Sequence, residues 1–365
     1  MLRRATGRLV LGALVATAVT GAPHAARATS AAPVRLAVTG GVVTVAADTA
    51  ANIQAYTQDG PSCRDRSVPL AQCPPAQVFF AYNVTLIDLR FTTPDGLAPE
   101  APAVALGSDE CYLLGQGRNW ARCTRDAPFV GAAVTLSDED DSILWQSTFP
   151  ASIDARGGDD TLASGWHAFL GTAHPDGPTK YVGGDGRDTV DYSTRCDHGP
   201  FQFFGEIPEY VAEGVRLSND GQANDGVRGE ADDIGTDVEV LIGGDGDDTL
   251  VGSGGDDTLL GDIPDEHARC DMFGGADYPD GGRDVVKGRG GNDTVMGGAF
   301  ADKLVGNGGD DDLHGGGGVD TLRPGPGDDL VDALDGAAEV VACGAGTDRY
   351  RADAVDRVRS CELVL

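Results

Sequence analysis

The stretch GGDGDDTLVGSGGDDTLLGD, Gly243 to Asp262, crowds carboxylates against glycines, and its regularly spaced large hydrophobes are Leu250 and Leu259. Two like charges about 4 Å apart repel by roughly 1 kcal/mol in water and several-fold more near a protein surface. A chain that keeps such a pattern needs an attraction that offsets the repulsion. Cut every nine residues from Gly243 to Asp332, the chain falls into ten blocks, of which eight carry Asp at the sixth place and the same eight carry Leu or Val at the eighth. The two exceptions, Gly261 to Tyr278, break the motif but span eighteen residues, so the count predicts that they keep the register as one motif-free coil.

Each block has two physical halves. The glycines allow positive φ and close approach of backbones. Thr-Leu-Val and its equivalents form a short extended piece whose central residue points inward. Two blocks make one coil, and stacked coils place Leu250, Val286, Leu304 and Leu322 in one ladder and Leu259, Val295, Leu313 and Val331 in another. Burying one Leu or Val is worth roughly 1.5–3 kcal/mol. Ordering nine residues costs about 1–2 kcal/mol each in backbone entropy, so the hydrophobe alone cannot hold its block. From Gly243 to Asp332 there are 21 acids against 6 Lys or Arg, which deepens the deficit. A hard dication removes it: the sixth-place Asp and the turn carbonyls offer only oxygen, which suits calcium, with its 6–8 oxygen ligands in flexible geometry. Magnesium demands a tighter octahedron, and zinc would want His or Cys, which the fixed places of the repeat do not supply.

These blocks match GGxGxDxUx, and the chain thereby resembles the RTX or hemolysin-type calcium-binding repeat family. Gly183 to Asp191 and Gly243 to Val251 match at every fixed place. The resemblance implies an all-β fold, a parallel β-roll that holds Ca2+ between successive coils through the Asp carboxylate and turn carbonyls. Carried over, the implied metal ligands are Asp188, Asp248, Asp257, Asp284, Asp293, Asp302, Asp311, Asp320 and Asp329, and the looser copy ARGGDDTLA adds Asp160. Phe300 stands where the fourth-place glycine belongs, and Pro324 and Pro326 lie in the last turn. Eighteen residues per coil puts Asp284, Asp302 and Asp320 on one edge and Asp293, Asp311 and Asp329 on the other.

Around this centre the sequence divides into a signal peptide (1–28), a disulfide-pinned β-rich N-terminal region (29–150), a first repeat segment (151–191), an insertion (192–240), the main roll (241–332) and a C-terminal disulfide cap (333–365). The signal reading rests on Arg3, Arg4 and Arg8, the apolar run Leu9 to Val19, and Ala26-Arg27-Ala28. No later stretch is apolar and long enough to span a membrane. The N-terminal region carries β-prone runs, among them LSDEDDSIL, a decayed nonapeptide in which Asp141 is a poor ligand. It reads either as a separate domain or as metal-free coils leading into the roll. In the insertion, the aromatic patch FQFFGEIPEY covers the roll or offers a recognition surface, and Asp232 and Asp233 suggest an irregular calcium site. The arginine-rich tail caps the open end of the solenoid.

Eight cysteines in an exported chain imply disulfides, and 105 pairings are possible for eight. Short loops favour Cys63 with Cys73, Cys111 with Cys123, and Cys343 with Cys361, leaving Cys196 with Cys270. The formal charge of −31 argues against nucleic acid and anionic lipid as partners and invites cations. Histidines are scattered, and neither His-Glu-x-x-His nor Gly-x-Ser-x-Gly occurs, so no catalytic residues are assigned. The sequence therefore predicts a secreted, non-enzymatic protein that folds on binding extracellular calcium. Its alternatives are an adhesin or matrix component with a cell-surface or glycan partner and the roll as stalk, or an enzyme with an unrecognised N-terminal domain.

Overall fold

The computed structural model describes residues 34–48, 104–113, 120–164 apart from 126 and 148, 177–193, 214–262 and 281–365, together with the strands Asn52–Thr57, Pro61–Cys63, Val78–Phe80 and Leu86–Thr92. Residues 31–365 form one compact unit. Among the described residues there is no helix, and the chain is a parallel β-roll built of two opposed walls. One wall is a continuous 14-stranded sheet. The other is made of two seven-stranded sheets, which end on Asp233–Ile234 and begin on Arg216–Ser218 respectively.

Successive strands of the roll alternate between the walls, so each pairs in parallel with the strand one coil away. On one wall Leu217, Leu250, Val286, Leu304, Leu322, Val341 and Val358 stand in register. On the other, Ile53, Ile143, Leu162, Val190, Leu241, Leu259, Val295, Leu313, Val331 and Tyr350 do so. From Ile53 to Val331 the second ladder is fully buried. The two ladders expected from the repeats are therefore both present, and both extend beyond them.

The coils begin far upstream of the glycine-rich blocks. Val42–Ala46 pairs in parallel with Gly131–Thr135, which pairs with Ala151–Gly157 and through it with Thr179–Asp185. Here the core is filled by larger side chains, among them Trp145, Ile153 and Tyr181, where the later coils use a single Leu or Val per turn. Val34–Thr39 folds back on Val42–Ala46 around Gly40 and Gly41, both at positive φ. Leu86–Thr92, Trp120–Thr124 and Cys111–Leu113 extend the long sheet in antiparallel fashion. Cys111 and Cys123 are directly opposed there and joined by a disulfide. The edge strand there, Cys111–Leu113, is three residues long, and so short an edge offers little to edge-to-edge pairing. At the other end a disulfide joins Cys343 to Cys361. The expected pairings Cys63 with Cys73 and Cys196 with Cys270, the signal segment and the FQFFGEIPEY patch lie outside the described residues.

One expectation is corrected. Gly261 to Tyr278 does not serve as a coil between its neighbours, because Thr249–Val251 pairs directly with Val285–Gly290 and Thr258–Leu260 directly with Thr294–Ala299. Counting residues suggested a coil, but the ladder of backbone hydrogen bonds closes across the segment.

Candidate metal centre

The sixth-place aspartates stand just before each strand, where the turn enters the wall, and they form two columns, one per wall. In each column the backbone N–H of an aspartate donates to Oδ1 of the aspartate one coil on. On one edge Asp248 donates to Asp284 (2.8 Å), Asp284 to Asp302 (2.8 Å) and Asp302 to Asp320 (2.9 Å). On the other, Asp257 donates to Asp293, Asp293 to Asp311 and Asp311 to Asp329, each at 2.9 Å. Partners are eighteen residues apart within the main run and thirty-six apart across the skipped segment, where Asp248 joins Asp284 and Asp257 joins Asp293. The second column continues upstream through Asp141, Asp160 and Asp188 to Glu239, and downstream through Asp348 to Glu362.

Oδ1 thus stitches the coils together. Oδ2 is left over: in Asp160, Asp188, Asp248, Asp284, Asp293, Asp302, Asp311, Asp320, Asp329 and Asp348 it is buried with no hydrogen-bond partner. An unpaired buried polar group costs about 1–3 kcal/mol, and more when charged. The first-place glycines show where these oxygens aim. A Cβ placed on Gly288 would stand 2.0 Å from Asp293 Oδ2 and 2.9 Å from the Gly306 carbonyl oxygen of the next coil. At Gly297 the corresponding distances are 2.3 Å to Asp302 Oδ2 and 2.6 Å to Gly315 O. Carboxylate and carbonyl oxygens from two coils therefore surround a space that only glycine leaves open. With no nitrogen or sulfur donor in the set, the arrangement fits an oxygen-seeking hard cation, and calcium's flexible coordination suits it best.

Electrostatics agree. Burial, ahead of neighbouring carboxylates, pushes Asp284 and Asp293 up to about 7 and Asp302 up to about 8. Burial likewise raises Asp160 to about 7 and Asp188 and Asp329 to about 6. It raises Asp248, Asp311 and Asp320 as well. Without a cation Asp160, Asp284, Asp293 and Asp302 hold their protons to about neutral pH. Neither sequence departure disturbs the columns: Phe300 takes φ = 70°, and Asp302 and Asp329 keep both their stitch and their free Oδ2.

Asp257 is set apart from the other expected ligands. Its Oδ2 accepts hydrogen bonds from Ser253 N (2.6 Å) and Ser253 Oγ (3.0 Å), and its Oδ1 accepts one from Asn219 Nδ2 (2.9 Å). Asp141 is closed in the same way by Ser137 N (2.7 Å) and Oγ (2.8 Å). Both serines occupy the second place of their nonapeptide, four residues before the aspartate. The suggested irregular site at Asp232 is also closed, since its two oxygens accept from Thr179 N and the Tyr192 hydroxyl. Asp233 pairs with Lys180 at 3.3 Å.

Sequence reading missed several column members. Asp348 sits at the sixth place of CGAGTDRYR and Glu339 at that of LDGAAEVVA, with Tyr350 and Val341 at the eighth places. One additional residue after Asp332 shifts the phase and hides them from a nine-residue cut. Asp262, raised to about 7 chiefly by burial, hangs over the turns through a 2.9 Å bond from Ala299 N.

The model of the RTX calcium-binding nonapeptide repeat (4 copies) matches residues 233–263, 280–304 and 296–331. No curated protein matches the chain at a significant level. Among the described residues no helix is long and apolar enough to cross a membrane.

Proposed function

We propose that this chain, a carrier of RTX calcium-binding nonapeptide repeats, is a secreted protein without catalytic activity whose roll closes when extracellular calcium loads its two columns. The observation that carries this reading is the series of buried aspartate Oδ2 atoms without a partner, those of Asp188, Asp248, Asp284, Asp293, Asp302, Asp311 and Asp320 each facing a space that a glycine keeps open. A cation satisfies each orphaned oxygen and neutralises the stacked charge, so metal binding and coil stacking are one event. Extracellular calcium modules bind with dissociation constants of about 10⁻⁴–10⁻³ M, which leaves such a chain open at cytosolic calcium and closed outside the cell.

Export is supported by the leader-like residues 1–28 and by the disulfides Cys111–Cys123 and Cys343–Cys361, which persist in oxidising compartments. The absence of a catalytic role is supported by the monotony of the columns, since acid–base catalysis wants titratable groups in contrasting environments. The test is circular dichroism of the full chain in excess chelator and in millimolar calcium. The expected result is a gain of β-signal on adding calcium that chelator reverses. A full β-spectrum in chelator at neutral pH would overturn the reading.

A further inference from the structure

The wall that carries Leu304 and Leu322 has an outer face unlike the rest of the molecule. Side chains alternate along its strands, so the buried Val286, Leu304, Leu322 and Val341 turn inward and their neighbours turn to solvent. Across the paired strands from Val285–Gly290 to Arg357–Arg359, the residues flanking those core positions put Lys287, Lys303, Arg323, Arg357 and Arg359 on the outer face. All of these cations are exposed, and the other flanking positions are Val, Thr or Ala, so none is acidic. Among the described residues none of the cations makes a salt bridge. In a chain of formal charge −31 this is a local reversal of sign.

The opposite wall shows no such segregation. There Arg351 pairs with Asp332 at 3.2 Å, and His314 sits 2.9 Å from Asp312. The corners differ as well. The residues just before the column aspartates are Arg283, Ala301 and Val319 on the basic wall's side, and Asn292, Asp310 and Asp328 on the other. Acid returns at Asp247, bonded to Arg283 N–H, and at Asp335, bonded to Gly318 N–H, so the basic face has ends.

We infer that this face binds a linear acidic polysaccharide with one carboxylate per sugar, laid across the strands along the axis of the roll. Strands about 4.8 Å apart set Lys287, Lys303 and Arg323 on consecutive rungs of a face that runs about 19 Å to Arg359. Three residues of strand make the face about 10 Å wide, which suits a single extended chain. A nucleic-acid duplex or a bilayer would also overlie the Asp310 and Asp328 corner and be repelled there. Screening confines each charge to about 8 Å at physiological ionic strength, so local sign governs so narrow a partner. Lys and Arg meet carboxylates in charge-assisted hydrogen bonds, and Val305, Val340 and Ala342 between them offer apolar surface to the C–H faces of sugar rings. None of these side chains belongs to the aspartate columns, so this binding is separate from calcium loading.

The test is fluorescence anisotropy of a labelled short oligogalacturonate with the full chain, in a buffer where circular dichroism shows the roll formed. Wild-type chain should bind, and raising salt from about 0.05 M to about 0.5 M should weaken binding about tenfold. The triple variant Lys287→Ala, Lys303→Ala, Arg323→Ala should also bind about tenfold more weakly. Arg349→Ala, an exposed arginine on the opposite wall, should bind as wild type does. Should the triple variant lose its β-signal, Lys303→Glu alone gives the same readout. No binding by wild type, or undiminished binding by the folded variant, would overturn the inference. An equal loss in Arg349→Ala would do so too, since net charge alone would then explain the binding. Tighter binding of a duplex oligonucleotide or of phosphatidylserine vesicles, lost in the same triple variant, would overturn the choice of occupant.

Discussion

Asp257 and Asp293 are neighbours in one column, joined by a 2.9 Å hydrogen bond, yet they are finished differently. Asp293 has a buried Oδ2 with nothing bound to it, whereas Asp257 has the Ser253 amide and hydroxyl on the same oxygen. The blocks GRGGNDTVM and GSGGDDTLL differ at the second place by Arg289 against Ser253, and Ser137 repeats the serine solution at Asp141. A hydroxyl four residues before the aspartate does internally what a cation does elsewhere. Matching the repeat motif therefore secures a place in the column, and the second-place residue decides whether that place is open.

The largest expected effect tests the open steps together, through pH. Their folded pKa values, about 6 to 8 at Asp160, Asp188, Asp284, Asp293, Asp302 and Asp329, lie above the usual carboxylate value near 4. A raised carboxylate pKa means that the metal-free fold holds protons the unfolded chain releases. Its contribution to stability is therefore fully present below about pH 4 and lost as pH rises through about 8. In chelator, acidification from pH 8 to pH 5 should restore β-signal by circular dichroism. In calcium the dependence reverses, and the calcium midpoint should rise as pH falls below 7, because protons compete for the same oxygens.

Next in size is the contrast between single substitutions. Asp293→Ala removes a free oxygen and the acceptor for Asp257 N–H, and should raise the calcium midpoint roughly tenfold, equivalent to about 1.4 kcal/mol. Asp257→Asn should shift the midpoint far less, because serine and asparagine already occupy that carboxylate. Equal shifts for the two would erase the distinction between open and closed steps. In double-mutant cycles, Asp293 should couple to Asp311, which it contacts, and only weakly to Asp302 in the other column.

Ser253→Gly sharpens the comparison by converting one kind of step into the other. With the hydroxyl gone and a flexible glycine able to turn its amide away, Asp257 Oδ2 should accept one additional calcium ion. The metal-free protein should lose about 1 kcal/mol with the hydrogen bond. Calorimetric stoichiometry measures the first outcome and acid-state denaturation the second; an unchanged ion count would show that serine does not stand in for metal. The smallest effect is reserved for Phe300→Gly, which relieves a non-glycine residue at φ = 70° beside an open step. It should raise the thermal midpoint in calcium by an amount corresponding to about 1 kcal/mol.

Much of this organisation was legible in the sequence wherever glycine turns and single inward aliphatics repeat together. The two ladders through Leu304 and Leu313 and the two columns through Asp302 and Asp311 follow from eighteen residues per coil. The upstream coils were less legible because Trp145, Ile153 and Tyr181 fill their core, and their turns are not built of four consecutive small residues. Asp348 and Glu339 were hidden by a one-residue shift of phase and by Glu in place of Asp. The closure of Asp257 was hard to read for another reason: Ser253 stands where the motif has glycine, but so do Arg289 and Asn307, whose aspartates keep a free Oδ2.

The direct pairing of Thr249–Val251 with Val285–Gly290 has a consequence for what such a molecule can carry. Linked members of a column are separated by 14, 18, 19, 28, 36 or 51 residues, yet they share the same amide-to-carboxylate link. The pitch of the roll is thus independent of the length of chain between its rungs. Its corners are permissive addresses at which a peptide tag or a foreign module can be grafted while the rungs on either side still close.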